Sequence, residues 1–151
     1  MSVGNAVRIV VTGTGLIGPL GCGTQVAWSR LLAGQSGIRA LPEDLAEGTG
    51  CSIEGRVPSV AEDSEAGYDP ERYIAAKDRK KMDRFIEFAL VAAQEALGQA
   101  GWHPADEVGQ QRTATIIASG VGGFDAIAEA VRTTDNRGPR RLSPFTAPSF
   151  L

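Results

Sequence analysis

With 151 residues, 42% of them hydrophobic and 22% charged, the chain is long enough for one domain with its own core and does not read as disordered or fibrous. No apolar run approaches the roughly 20 residues that cross a bilayer, and the opening MSVGNAVRIVV is a poor secretion signal, so no membrane partner and a cytoplasmic location are expected. The net charge of −3 and the absence of stacking aromatics among the basic residues, apart from Phe85 on an apolar stripe, argue against nucleic acid as a partner.

Residues 7–12 form a near-continuous apolar run, which predicts a strand buried on both faces, as in parallel sheets. After Gly13-Thr14-Gly15-Leu16-Ile17-Gly18, Thr24 is placed to cap a helix with Val26, Ala27, Leu31 and Leu32 at helical spacing, stopping at Ala33-Gly34. Residues 36–67 are dominated by Gly, Pro, Ser, Asp and Glu, with hints of short strands only at Cys51-Ser52-Ile53 and Arg56-Val57. This reads as an excursion over the surface.

Asp69-Pro70-Glu71 is a helix start: an Asp cap, a Pro at the first helical position and an acid in the first turn. Met82, Phe85, Ile86, Ala89, Leu90, Ala93, Ala96, Leu97 and Ala100 then recur at spacings of three and four, predicting a long helix that ends at Gly101. Its stripe of small residues is suited to lying close against a sheet or another helix. Residues 113–119 predict a second buried strand, turned by Gly120-Val121-Gly122-Gly123 into a helix over 124–133. The tail GPRRLSPFTAPSFL, with three prolines, predicts an extended loop. This order of elements is that of an α/β layered fold.

Charge is unevenly spread. Lys77, Arg79, Lys80, Lys81 and Arg84 outweigh Asp78 and Asp83 by three, and Arg132, Arg137, Arg140 and Arg141 outweigh Asp135 by three, so the rest of the chain carries −9. Such polarisation fits either an acidic partner or a solvated helix face beside an Arg-rich loop. The two cysteines, Cys22 and Cys51, form no Cys-x-x-Cys pair and are expected to be reduced. The single histidine, His103, has no Cys or His near it in sequence, so no metal site is expected.

Gly13-x-Gly15-x-x-Gly18 after an apolar run is also the pattern of a dinucleotide-binding loop. In that fold a helix begins within the glycine motif and an acidic residue follows about 20 residues later. Here Pro19-Leu20-Gly21-Cys22-Gly23 breaks any helix, and Gly37-Ile38-Arg39-Ala40-Leu41 stands where the strand ending in an acid belongs. The motif fails both tests.

The same residues resemble another family. VRIVVTGTGLIGPLGCGTQVAWSRLLAGQSGI is similar to the amino-terminal signature of the β-ketoacyl-acyl carrier protein synthases, and the likeness continues at Arg79-Lys80-Lys81-Met82-Asp83-Arg84-Phe85, at Ser119-Gly120-Val121-Gly122-Gly123 and at Gly138-Pro139-Arg140-Arg141-Leu142-Ser143-Pro144-Phe145. Within the family the chain looks most like the elongating enzymes of bacterial fatty acid synthesis, and ketosynthase domains of polyketide pathways share much of the pattern.

The resemblance implies an α/β thiolase-like fold, of which residues 1–151 would be the incomplete amino-terminal half, in a homodimer that needs no cofactor. It implies condensation of an acyl thioester with malonyl-acyl carrier protein, using one cysteine and two histidines. No residue here matches those three, so the catalytic set in this chain is none, and the chain is expected to stop before the nucleophile and to be inactive alone. Gly120 and Val121 match a turn lining the acyl pocket. Phe145 and Thr146 match a loop reaching the neighbouring subunit's pocket, where many relatives carry a second Phe in place of Thr146. Lys77, Lys80, Lys81, Arg140 and Arg141 match the docking positions for the acidic acyl carrier protein. The alternatives are a ketosynthase-like partner without catalysis, a carrier-binding or dimerisation module, or a segment of a polyketide ketosynthase.

Overall fold

The computed structural model describes residues 7–150, and the fold is organised around one helix, α5, Arg84–Ala100. Ala, Leu, Glu and Gln dominate it, all good helix formers, and Gly101 ends it in the left-handed conformation at φ 61°. Ahead of it come β1 (Ile17–Gly18), β2 (Gly21–Cys22), α1 (Thr24–Leu32), β3 (Arg39–Ala40), α2 (Glu43–Ala46), β4 (Ile53–Glu54), α3 (Pro70–Tyr73) and α4 (Ala76–Arg79). After it come α6 (Glu107–Gln111), α7 (Phe124–Arg137) and a 3-10 turn at Pro139–Arg141. The strands form two antiparallel ladders, Ile17 opposite Cys22 and Arg39 opposite Glu54.

One face of α5 takes the small core. Val91 is buried with Val57 and Tyr68, and Ile17, Cys22, Tyr73 and Phe88 pack around them. Tyr68 meets the edge of Phe88 at 5.2 Å between centroids, stacks on Tyr73 at 6.4 Å and donates its hydroxyl to Glu87 at 2.5 Å. That satisfied hydroxyl is what lets a tyrosine sit in the core.

Another face takes the amino-terminal segment at very close range. A Cβ on Gly13 would overlap the Ala96 carbonyl oxygen, and one on Gly15 would overlap that of Ala92. Only glycine facing alanine permits this approach. Side chains beside those alanines then fasten the backbone: Glu95 accepts the amides of Leu16 at 2.9 Å and Thr24 at 2.7 Å, and Gln99 accepts that of Thr14 at 2.6 Å.

Asp69 caps α3 by accepting from the Glu71 amide, the start that the sequence predicts. Elsewhere the structure corrects the sequence reading. Thr24 is not the cap of α1. Gly23 holds that position at φ 105° and the Glu95 carboxylate does the capping from another helix. The single long helix is three, because Ile74 leaves helical geometry to bury its side chain and the charged run of residues 77–81 offers no apolar face to hold a helix down. α7 runs on to Arg137, since nothing in Thr133-Thr134-Asp135-Asn136-Arg137 breaks it before Gly138. The tail folds into the 3-10 turn and further turns rather than an extended loop, with Thr146, Ser149 and Phe150 amides donating to carbonyls three or four residues back. Residues 7–12 and 113–119 form no strand, because neither finds a ladder partner among the described residues, and the side chains expected to be buried are exposed, Ile9 at 94% and Ile116 at 91%. Arg56–Val57 forms no strand either, and the Cys51–Ile53 hint becomes β4.

The excursion of residues 36–67 is tied to α1 by Arg30. Its guanidinium binds the Asp63 carboxylate, Glu65 at 3.1 Å and the Leu20 carbonyl at 3.0 Å, while Asp63 also accepts the amides of Glu65 and Ala66, each at 3.1 Å. The Arg30 hydrogen bonds and these amides hold the Asp63 carboxyl at about 2, below its ordinary 3.8.

Gly15→Ala should lower unfolding stability by about 3 kcal/mol or more through overpacking, whereas Gly98→Ala, on the open side of the same helix where an added Cβ meets nothing, should raise it by about 0.5–1 kcal/mol in urea titrations. Because its folded value is depressed, Asp63 stabilises above about pH 4 and loses this contribution as pH falls through about 2. Asp63→Asn should cost about 2 kcal/mol at pH 7 and flatten the acid limb of the stability curve.

Candidate functional site

Lys80, directly after α4, meets the tail across an open cleft of about 320 Å³ whose walls also carry Glu129 and Thr133 of α7 and Arg141, Ser143, Phe145, Thr146 and Ser149. Sequence places these residues far apart. The structure joins them because the Asp83 amide donates to the Ser149 carbonyl at 3.2 Å and Lys81 sits over the Phe145 ring at 5.8 Å.

The basic residues divide into engaged and free. Arg79 pairs with Glu71 at 3.6 Å, Lys81 with Asp78 at 3.0 Å, and the Arg84 guanidinium lies over the rings of Phe88 at 5.2 Å and Tyr68 at 6.0 Å. The Lys81 ammonium, by its hydrogen bond and charge, holds the Asp78 carboxyl below its ordinary value. Lys77, Lys80, Arg140 and Arg141 are exposed and have no carboxylate within 4.0 Å among the described residues. Of the five predicted docking positions, Lys81 is thus partly spent inside the chain and four are free.

Phe145 and Thr146 line the cleft, and Thr146 also borders an apolar hollow of about 560 Å³ walled by Ile127, Val131, Leu142, Pro144 and Phe150. Gly120 and Val121 lie away from both. Val121 is 70% exposed, and a Cβ on Gly120 would meet nothing within 4 Å. The next two glycines are the constrained ones, since a Cβ on Gly122 would reach the Phe85 ring at 2.6 Å and Gly123 turns into α7 at φ 71° against Phe150. The Gly-rich turn and the tail loop therefore meet through Phe150, while the two predicted pocket pairs stay apart.

The cysteines are unlike each other. Burial, then Asp63 and Glu95, push the half-buried Cys22 thiol up, which keeps it protonated and unreactive near neutral pH. Cys51 is exposed and donates to the Ile53 carbonyl at 3.1 Å. His103 is exposed, and no group of three His, Cys, Asp or Glu residues among the described residues is placed to hold a metal.

Residues 6–149 match the family described as "Beta-ketoacyl synthase, N-terminal domain". This chain belongs to that family. Over 144 residues it is 40% identical to 3-oxoacyl-[acyl-carrier-protein] synthase 2 of Rhizobium meliloti, covering 95% of this chain and 34% of that protein. It is 35% identical over 144 residues to the Vibrio cholerae synthase 2, and 35% identical over 153 residues to the mitochondrial synthase of Arabidopsis thaliana. The chain spans about a third of the length of these relatives.

Among solved structures it is similar to the ishigamide ketosynthase/chain length factor, with a TM-score of 0.67 at 24% identity over 94% of this chain and 33% of that one. It is also similar to the AntDE:AntF complex of a type II polyketide acyl-carrier protein with its ketosynthase, with a TM-score of 0.61 at 21% identity over 94% and 36%. The fold is thus the thiolase-like fold of ketosynthases, present in part.

Glu95 is the residue that sequence reading of this β-ketoacyl synthase segment missed. Ala92, Glu95, Ala96, Gln99 and Ala100 share one helix face by their spacing, and an acid and an amide four apart within a small-residue stripe was the available signal. The carboxylate sits where the first amide of α1 emerges, so the amino end of that helix already holds an anion. Of the three glycines that imitate a dinucleotide loop, Gly13 and Gly15 serve helix packing instead, and Gly18 lies in β1.

Proposed function

We propose that this chain supplies the carrier-docking surface and the acyl-pocket turn of a 3-oxoacyl-[acyl-carrier-protein] synthase, an acyltransferase of fatty acid elongation that joins an acyl thioester to malonyl-acyl carrier protein with loss of carbon dioxide. The observation that carries the reading is the cleft that brings Lys80 and Arg141 together with both cations unpaired among the described residues. Lys77 and Arg140 extend the same free charge along α4 and the 3-10 turn. The printed names of the relatives and of the carrier-bound ketosynthase support an acyl carrier protein as its target. An acidic helical partner would be oriented by exposed cations worth about 1 kcal/mol or less each.

The condensation needs a thiolate that accepts the acyl group and fixed donors that stabilise the carbanion and oxyanion formed next. Neither Cys22, held as a thiol, nor Cys51, on the excursion, serves as that nucleophile. The role of these residues is to bind and position. Val121 limits the acyl chain at the pocket turn, and Phe145 and Thr146 belong to the pocket of a second subunit in a homodimer. Support comes from Val121 lying outside the cleft that Phe145 and Thr146 line and from the exposed apolar residues Phe124, Ile127 and Val131 of α7, a face suited to a protein contact. The reading places the enzyme in the cytoplasm, and no helix among the described residues is long and apolar enough to cross a membrane.

Lys80→Glu with Arg140→Glu should weaken binding of an acidic acyl carrier protein by about tenfold and reduce its salt dependence, whereas Lys81→Glu alone should cost less because its charge is shared with Asp78. Unchanged affinity of the double variant in a calorimetric titration would end the docking reading. Given acyl- and malonyl-carrier, the chain alone should form no 3-oxoacyl product detectable by mass spectrometry.

A further inference from the structure

α4 consists of four residues, Ala76–Arg79, and none of them is buried. Ala75 stands at its N-cap and offers no side-chain cap, and a single turn of helix is not stable by itself. The chain is anchored ahead of it by Ile74, 7% exposed, and behind it by Lys81 over the Phe145 ring and the Asp83 amide on the Ser149 carbonyl. Those anchors hold the two ends of the segment. Which way α4 faces between them is set by a side chain of its own.

That side chain is Arg79. It is 24% exposed where Lys77 and Lys80 stand in solvent, its Nε is buried with no hydrogen-bond partner among the described residues, and its Nη2 lies 3.6 Å from Glu71 of α3. A buried donor left unpaired costs stability, so the inward turn is not one that the guanidinium would take if it were free to leave. Its charge also reaches the buried Tyr68, where it opposes the burial and the Glu87 bond that push that hydroxyl up. At about 100° per residue, Lys77 and Lys80 share one face of the turn and Arg79, two residues after Lys77, stands opposite Lys77. Turning Arg79 in therefore turns Lys77 and Lys80 out. Given the docking reading above, we infer that Arg79 is a positioning residue, which through Glu71 fixes the rotation of α4 and so presents Lys77 and Lys80 to an acidic partner. It is not itself a docking cation.

The test compares the wild-type chain with Glu71→Gln and Arg79→Gln by calorimetric titration with an acidic acyl carrier protein at two salt concentrations, and by amide hydrogen exchange. Glu71→Gln should weaken binding about threefold, although it removes a negative charge beside a basic surface. Arg79→Gln should weaken it as much, with the salt dependence unchanged. Asp78 and Arg79 donate their amides to the Ala75 carbonyl at 2.9 and 3.2 Å, and exchange at both should quicken several-fold in each variant while Val91 in α5 keeps its rate. Tighter binding by Glu71→Gln, or a flatter salt dependence in Arg79→Gln with exchange unchanged, would make Arg79 a docking cation and overturn the inference. A wild-type chain that binds no carrier would sink the docking reading instead. Exchange at Asp78 and Arg79 then decides whether Arg79 fixes α4: quickened in both variants upholds it, and unchanged overturns it. Glu71 is 83% exposed, so Glu71→Gln should keep the wild-type circular dichroism and carries the test if Arg79→Gln does not fold.

Discussion

The close approach of the amino-terminal segment to α5 is the constraint on which the rest depends. Gly13 and Gly15 lie against the backbone of α5 at Ala92 and Ala96, and an approach that tight fixes the register of chain on helix to a single residue. Glu95 then converts contact into attachment, with one carboxylate holding amides on both sides of the β1–β2 ladder. Charge-assisted bonds to two backbone amides are strong for their size, and here they replace a local helix cap. The segment that begins the fold, the start of α1 and the central helix thereby behave as one body.

From that body two arms reach outward. Arg30 carries the frame to the excursion through Asp63, and the Asp83 amide and the Phe85 ring carry it to the tail and to the Gly122 turn. The basic surface owes its shape to the second arm: α4 is short and would wander without the tail behind it, and the tail is stationed by the helix start it touches. Charge that sequence presents as two unrelated clusters becomes one surface because both are fastened to the amino end of α5.

Much of this was legible from residue order. The stripe of small residues on α5, its glycine stop, the Asp-Pro-Glu start of α3 and the family signature all rest on local chemistry that does not need a partner, and the structure has each of them where the pattern put it. What could not be read was pairing at a distance. Residues 7–12 and 113–119 have strand composition, but a strand is a relation between two segments, and composition does not say whether the second is at hand. Glu95 capping a helix 71 residues earlier in the chain is the same kind of fact. The helix break at Ile74, a buried side chain, falls ahead of the apolar period that begins at Met82, and there tertiary burial overrides local helix propensity.

The excursion has a practical side. Between the β3–β4 ladder its backbone runs through α2 and two left-handed glycines, Gly48 and Gly50, beside which an added Cβ would meet nothing. Nothing there supports α5 or the basic surface, and Cys51 at its edge is the exposed thiol of the pair. A fluorophore attached at that sulfur would report tumbling and encounters from outside the cleft that Lys80 and Arg141 line.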